Sequence, residues 1–117
     1  ESDVLAATPP RDGIVPHPED ALRVADQPRI FLGRIGSADT LLKNPVKRDL
    51  IRDKFDVRAL EMEGSGIADA TWQSATGYLV VRGICDYCDE NKNNLWQGYA
   101  AVAAAAYVRA LLESMPA

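Results

Sequence analysis

The sequence predicts an α/β fold in which three strands alternate with three helices. Three observations carry this. "RIFLGRIGS" (29–37), "VRALEM" (57–62) and "GYLVVRGI" (77–84) are β-branched or apolar runs with polar or glycine-bearing ends, as strands are. "NPVKRDLIRDKF", "EGSGIADATWQ" and "LWQGYAAVAAAAYVRALLESM" follow them with helical signals. The order is therefore strand, helix, strand, helix, strand, helix, and such alternation packs helices onto the faces of a sheet.

Residues 1–28 precede this pattern. "TPPRDG", "VPHPED" and "DQPR" carry five prolines and one glycine between them. Proline fixes φ and lacks an N–H, so loops and turns are expected, with room for one short helical turn at "PEDALRVA". The segment reads as an irregular, proline-rich connection, and residues 29–117 as the folded part. In the first helix, Asn44 is a good N-cap and Pro45 suits the first helical position. Val46, Leu50 and Ile51 can share its buried face, leaving Lys47, Arg48, Arg52 and Asp53 in water. The second helix is slim, with Gly64, Gly66, Ala68 and Ala70. Each glycine costs roughly 1 kcal/mol against alanine, so a close backbone approach is expected there. The nearly continuous apolar run 77–84 suits a strand covered on both faces. In the last helix Leu95, Tyr99, Val102 and Ala106 recur at helical spacing. Trp72, Trp96, Tyr99 and Tyr107 read as packing residues.

The 117 residues fit one domain. Acidic residues outnumber basic ones 17 to 13, a net charge of −4. Nucleic acid is a poor partner for such a surface, because phosphate binding needs concentrated Lys and Arg. No apolar run approaches the roughly 20 residues that span a bilayer, so no membrane partner is expected. "ESDVLAATPP" lacks the basic start and apolar stretch of a signal peptide. Cys85 and Cys88 in "CDYC" read as two reduced thiols in a cytoplasmic protein. His17, between two prolines, reads as a solvated loop residue. No metal and no cofactor is expected from this composition.

In α/β sheets ligands bind outside the carboxyl ends of the strands. "GSAD" (36–39), "EME" (61–63) and "CDYCD" (85–89) fall at those three ends and converge on one crevice if the strands are neighbours. Asp86, at the mouth of an apolar strand, suits a general acid if desolvation raises its pKa, or caps a turn. Glu63 offers two oxygens to a vicinal diol, or is a first-turn glutamate favoured by the helix dipole. Glu61 and Asp39 have weaker claims. Side chains alternate along a strand, so one strand-end glutamate faces the helix layer. Arg82, inside the apolar run, needs a carboxylate or carbonyl partner and reads as orienting an acidic group near the site.

"ALEMEGSGIADA" and "YLVVRGICDYCDENKNNLWQGYAAVAAAAY" together resemble the purine nucleoside phosphorylase and nucleosidase superfamily. They look most like its 5′-methylthioadenosine/S-adenosylhomocysteine nucleosidase branch and the nucleosidase-like domains of fungal and bacterial multidomain proteins. "GSADTLLKN" resembles that group's serine-started loop, and the likeness runs from about Ile30 to Leu112. It implies a three-layer αβα phosphorylase/hydrolase-like fold, of which this chain supplies the C-terminal portion. It implies that Glu63 holds the ribose hydroxyls and that Met62 packs on the sugar. Asp86 would hydrogen-bond the purine and protonate its N7. Leu41 would lie under the base and Leu42 would contact it through its backbone, while Cys85 replaces a serine common before the aspartate. The family's N-terminal half carries a glycine-rich loop and a water-positioning glutamate, and this sequence has neither. A preceding half-domain, a homo-oligomer and a small-molecule purine nucleoside or nucleotide are the partners implied. The start at Glu1 fits a fragment that is inactive alone. Hydrolase, phosphorylase and non-catalytic nucleotide-sensing module all stay open, since the residues that separate the first two lie mainly in the missing half.

Overall fold

The computed structural model describes residues 5–6, 14–17, 19–90 and 94–117. The predicted loop at "TPPRDG" falls wholly outside the described residues, as do Pro18 and residues 91–93 of the polar loop. The chain divides into two compact units, Glu1–Phe31 and Leu32–Ala117.

In the first unit β1 (Leu5–Ala6) pairs antiparallel with β2 (Ile14–Val15). Of "PEDALRVA", the described residues 19–25 form turns and a bridge and no helix. Asp20 organises them: its carboxylate accepts from Leu22 N–H at 2.9 Å and from Arg29 Nη1 at 2.7 Å. Asp26, with φ 58°, completes the reversal between the bridged residues Val24 and Gln27. His17 is half-buried.

The second unit is a small α/β domain, with a two-stranded parallel sheet and three helices among the described residues. β3 (Arg34–Ser37) runs parallel to β4 (Val57–Glu61), pairing Ile35 with Ala59 and Ser37 with Glu61. The crossover is α1 (Pro45–Phe55). It starts where the sequence says: Asn44 Oδ1 accepts from Lys47 N–H at 3.0 Å and Pro45 follows. It ends at Asp56, whose left-handed φ of 52° turns the chain straight into β4. The helix is rotated from the predicted face. Val46 and Leu50 are exposed, while Arg48, Asp49 and Ile51 are half-buried. The physical reason is a polar tether, since Arg48 Nη1 donates to the Tyr87 carbonyl at 2.8 Å.

Among the described residues the predicted third strand, 77–84, joins no ladder, so the three-strand order is not formed there. Apolar content speaks for burial but supplies no neighbouring edge in hydrogen-bond register. Nor is the segment covered on both faces: Leu79 and Ile84 are exposed, Val80 and Val81 half-buried. Its tight contact is with helix α3 (Gln97–Ser114), where a Cβ on Gly83 would collide with the backbone of Ala100. Ala100 is the one buried hydrophobic residue among those described. The alanine-rich part of α3 thus does allow close approach, at Ala100 in its first turn, to an extended segment at its glycine, Gly83. Trp72 is 86 % exposed and does not pack, whereas Trp96 and Tyr99 meet edge to face at 5.3 Å.

Candidate functional site

The carboxyl ends of β3 and β4 lie side by side, and the next helix, α2 (Gly64–Trp72), starts three residues after Glu61. Glu61 is the one buried charged residue among those described, and its side chain is 2 % exposed. It closes the turn. Its Oε2 accepts from Glu63 N–H at 2.7 Å and from Gly64 N–H at 2.8 Å, and its Oε1 accepts from Gly64 N–H at 2.7 Å. The Ser37 hydroxyl donates to the same carboxylate and accepts from Ser65 N–H at 3.1 Å. The first N–H groups of a helix have no intrahelical partner, and here a buried anion and a serine satisfy them.

Burial alone would raise the Glu61 pKa. The hydrogen bonds from Glu63 N–H, the Ser37 hydroxyl and Gly64 N–H outweigh it and hold the carboxyl below its ordinary value. A carboxylate with a lowered folded-state pKa contributes stability that is whole above its unfolded value and is lost as pH falls through the folded one. Stability followed downward from pH 7 is therefore expected to fall below the ordinary glutamate value of 4.5 in the wild type. The acid limb of Glu61→Gln is expected to be shallower, and identical limbs would remove Glu61 from that balance.

Glu63 stands at the mouth of this turn with its side chain 65 % exposed. Arg82 holds it: Nη1 lies 2.8 Å from Glu63 Oε2 and 3.7 Å from Glu61 Oε2. A pair this exposed contributes under about 1 kcal/mol to stability, so its effect is orientation. Arg82 itself is 39 % exposed, less buried than its apolar setting implies, but it does meet the acidic group. Met62 is also exposed.

Asp86 is half-buried in the loop after 77–84. Its Oδ1 accepts from Cys88 N–H at 2.9 Å, and its Oδ2 accepts from the Cys85 thiol at 3.5 Å. Cys88 has φ 56°, so Asp86 braces a tight turn with one carboxylate oxygen. The Arg48 bond to Tyr87 fastens this loop to α1. Leu41 is exposed and Leu42 half-buried in the segment between β3 and α1. The structure thus gathers Ser37, Glu61, Glu63 and Arg82 into one group and Cys85, Asp86 and Cys88 into another, four residues past Arg82.

Glu61 and Ser37 are the residues that pattern reading undervalued. The helix-start role weighed for Glu63 belongs to Glu61. The usable signal was Gly64, three residues on, where a Cβ would stand 2.5 Å from Glu61 Oε1. Gly66 has nothing within 4 Å of such a Cβ, so the close approach expected of both glycines holds at the first only. A cavity of about 120 Å³ lies at this end of the sheet, beside Ser37, Glu61 and Tyr78. A larger one, about 380 Å³, lies at the opposite end of β4 among Arg52, Asp56 and Arg58. Among the described residues no group of three or more His, Cys, Asp or Glu converges as metal ligands, and no helix is long and apolar enough to cross a membrane.

The chain is 26% identical over 98 residues to a 5′-methylthioadenosine/S-adenosylhomocysteine nucleosidase of Lysinibacillus sphaericus, a match covering 83% of this chain and 43% of that protein. It is 35% identical over 72 residues to the ATP nucleosidase Cap17 of Escherichia coli, covering 61% of this chain and 14% of that one. The chain is homologous, over part of its length and at low identity, to members of the nucleosidase superfamily. A nucleotide-binding leucine-rich repeat (NLR)-like protein of Hyaloscypha variabilis is 37% identical over 90 residues, 77% of this chain and 9% of that protein. The chain therefore spans less than half the length of each of these relatives. No family model and no solved structure matches it.

Proposed function

We propose that this chain is the C-terminal part of a nucleosidase domain that cleaves the ribose–adenine bond of an adenine nucleoside or nucleotide. The observation that carries this reading is the Arg82-held Glu63 at the carboxyl end of a parallel strand pair, in a chain partly homologous to nucleosidases. Glu63 accepts hydrogen bonds from the ribose hydroxyls, and Met62 covers the sugar's apolar side. Cys85, Leu41 and Leu42 contact the base. Asp86 supplies a proton to N7 as the C1′–N9 electron pair leaves with adenine; water adds to the C1′ cation and gives up a proton, which balances the one that Asp86 lost. A carboxylate oriented before the reaction costs no reorganisation as that positive charge develops.

Two further observations bear on partners. The 120 Å³ cavity is smaller than the roughly 300 Å³ at which small-molecule sites begin. Large apolar residues such as Tyr78, Leu79, Val102 and Leu112 are exposed. Both fit a site completed by a preceding half-domain, with the assembly forming a homo-oligomer in the cytoplasm. The NLR-like relative favours one second reading, a non-catalytic nucleotide-sensing module within a larger protein.

The diol contact has its own test in the full-length protein. Glu63→Gln, which keeps the shape but halves the acceptor capacity, is expected to lower kcat/KM for adenosine about 10- to 100-fold, the loss of one to two charge-assisted hydrogen bonds. It is expected to leave the 2′,3′-dideoxy analogue nearly unchanged. Equal processing of adenosine and the dideoxy analogue by the wild type would refute the contact.

A further inference from the structure

We infer that Glu61 is a positioning residue for ribose recognition, acting through Glu63; this rests on the reading of the site just given. A carboxylate that is 2 % exposed is costly unless its oxygens are filled, and here they are filled by Glu63 N–H, Gly64 N–H and the Ser37 hydroxyl. Two of these donors are the backbone groups that fix where the Glu63 side chain leaves the main chain. Glu61 also faces Arg82, whose Nη1 stands 3.7 Å from Glu61 Oε2 and 2.8 Å from Glu63 Oε2. One guanidinium nitrogen is thus shared by a buried carboxylate that cannot move and an exposed one that otherwise could.

The consequence is preorganisation. Glu63 is two-thirds exposed and would sample several rotamers in water; ordering it on ligand binding costs affinity. Arg82 suppresses that freedom better if its own position is restrained, and Glu61 is the buried anion whose charge, 3.7 Å from Nη1, draws it in. The trio of two carboxylates and one guanidinium also keeps one net negative charge beside the sugar, the sign that favours a developing ribosyl cation. Gly64 is part of the device, because any side chain there would displace the Glu61 oxygen 2.5 Å from its Cβ position.

The test uses the full-length protein and two ligands, adenosine and 2′,3′-dideoxyadenosine, with binding measured by calorimetry and turnover by adenine release. Wild type is expected to prefer adenosine. Glu61→Gln places an NH₂ against backbone donors and is expected to cut that preference about tenfold, the worth of one charge-assisted hydrogen bond, while affinity for the dideoxy analogue is little changed. The double variant Glu61→Gln/Glu63→Gln is expected to lose no more of the preference than Glu63→Gln alone, since both act through one contact. If Glu61→Gln does not fold, Ser37→Ala, which removes a single donor, is expected to shift the same ratio in the same direction. A merely structural Glu61 would lower both ligands equally and leave the ratio intact, and that result overturns the inference, as does a wild type that does not distinguish the two ligands. A wild type that binds with this preference but releases no adenine would sink the nucleosidase reading alone, leaving the binding ratio to decide the role of Glu61.

Discussion

Asp86→Asn is expected to abolish adenine release by the full-length protein, a fall of about 10²–10⁴-fold, with nucleoside affinity much less affected. The substitution separates two functions of one side chain. Asp86 Oδ1 accepts from Cys88 N–H at 2.9 Å, and an asparagine carbonyl can do the same, so the turn with its left-handed Cys88 keeps its brace. The Arg48 tether to the Tyr87 carbonyl is also untouched. What asparagine lacks is a proton to give to the departing base. Single-turnover release and equilibrium binding, measured side by side, make the check. Unchanged turnover would leave Asp86 as the turn cap that its geometry already makes it, and nothing more.

Gly83→Ala is expected to destabilise the second unit by about 3 kcal/mol or more. Most glycine-to-alanine changes meet a side chain that can swing away. Here the added methyl meets the Ala100 carbonyl and Cα, in the first turn of α3, and helical backbone cannot swing aside as a side chain can. Either 77–84 lifts off α3 or α3 shifts as a body, and both uncover Ala100, the one buried apolar residue among those described. Gly66→Ala is the matching control. It sits in α2 with open space around it and is expected to stabilise by about 1 kcal/mol through helix propensity. Hydrogen exchange of α3 and of 77–84 reads the difference: Gly83→Ala speeds exchange in both segments, Gly66→Ala in neither. Wild-type protection in Gly83→Ala would mean that the two segments do not rest on one another.

Local chemistry was the most legible part of this sequence. Asn44 and Pro45 announce α1 because capping needs only neighbours in the chain, and the end of β4 at Glu61 is marked by the glycines that follow. Long-range relations were harder to read. The run 77–84 is as apolar as a strand, but a ladder depends on a second edge that composition cannot supply. The wet face assigned to α1 was wrong at Arg48 because its partner, the Tyr87 carbonyl, lies 39 residues away. Trp72 reads as a packing residue by its type alone, yet it is exposed. In the site, "EME" was visible as an acidic strand end. Which glutamate turned inward rested on the parallel register that sets Ser37 opposite Glu61, and register is a property of the folded pair.

The most direct measurement of the central claim is free adenine released from adenosine, 5′-methylthioadenosine and ATP by the full-length protein, with and without inorganic phosphate. The nucleosidase reading predicts adenine from at least one of the three, at a rate indifferent to phosphate and lost in Asp86→Asn. Release that requires phosphate would make the domain a phosphorylase. Tight nucleotide binding with no release from any of them would contradict catalysis and leave a sensing module.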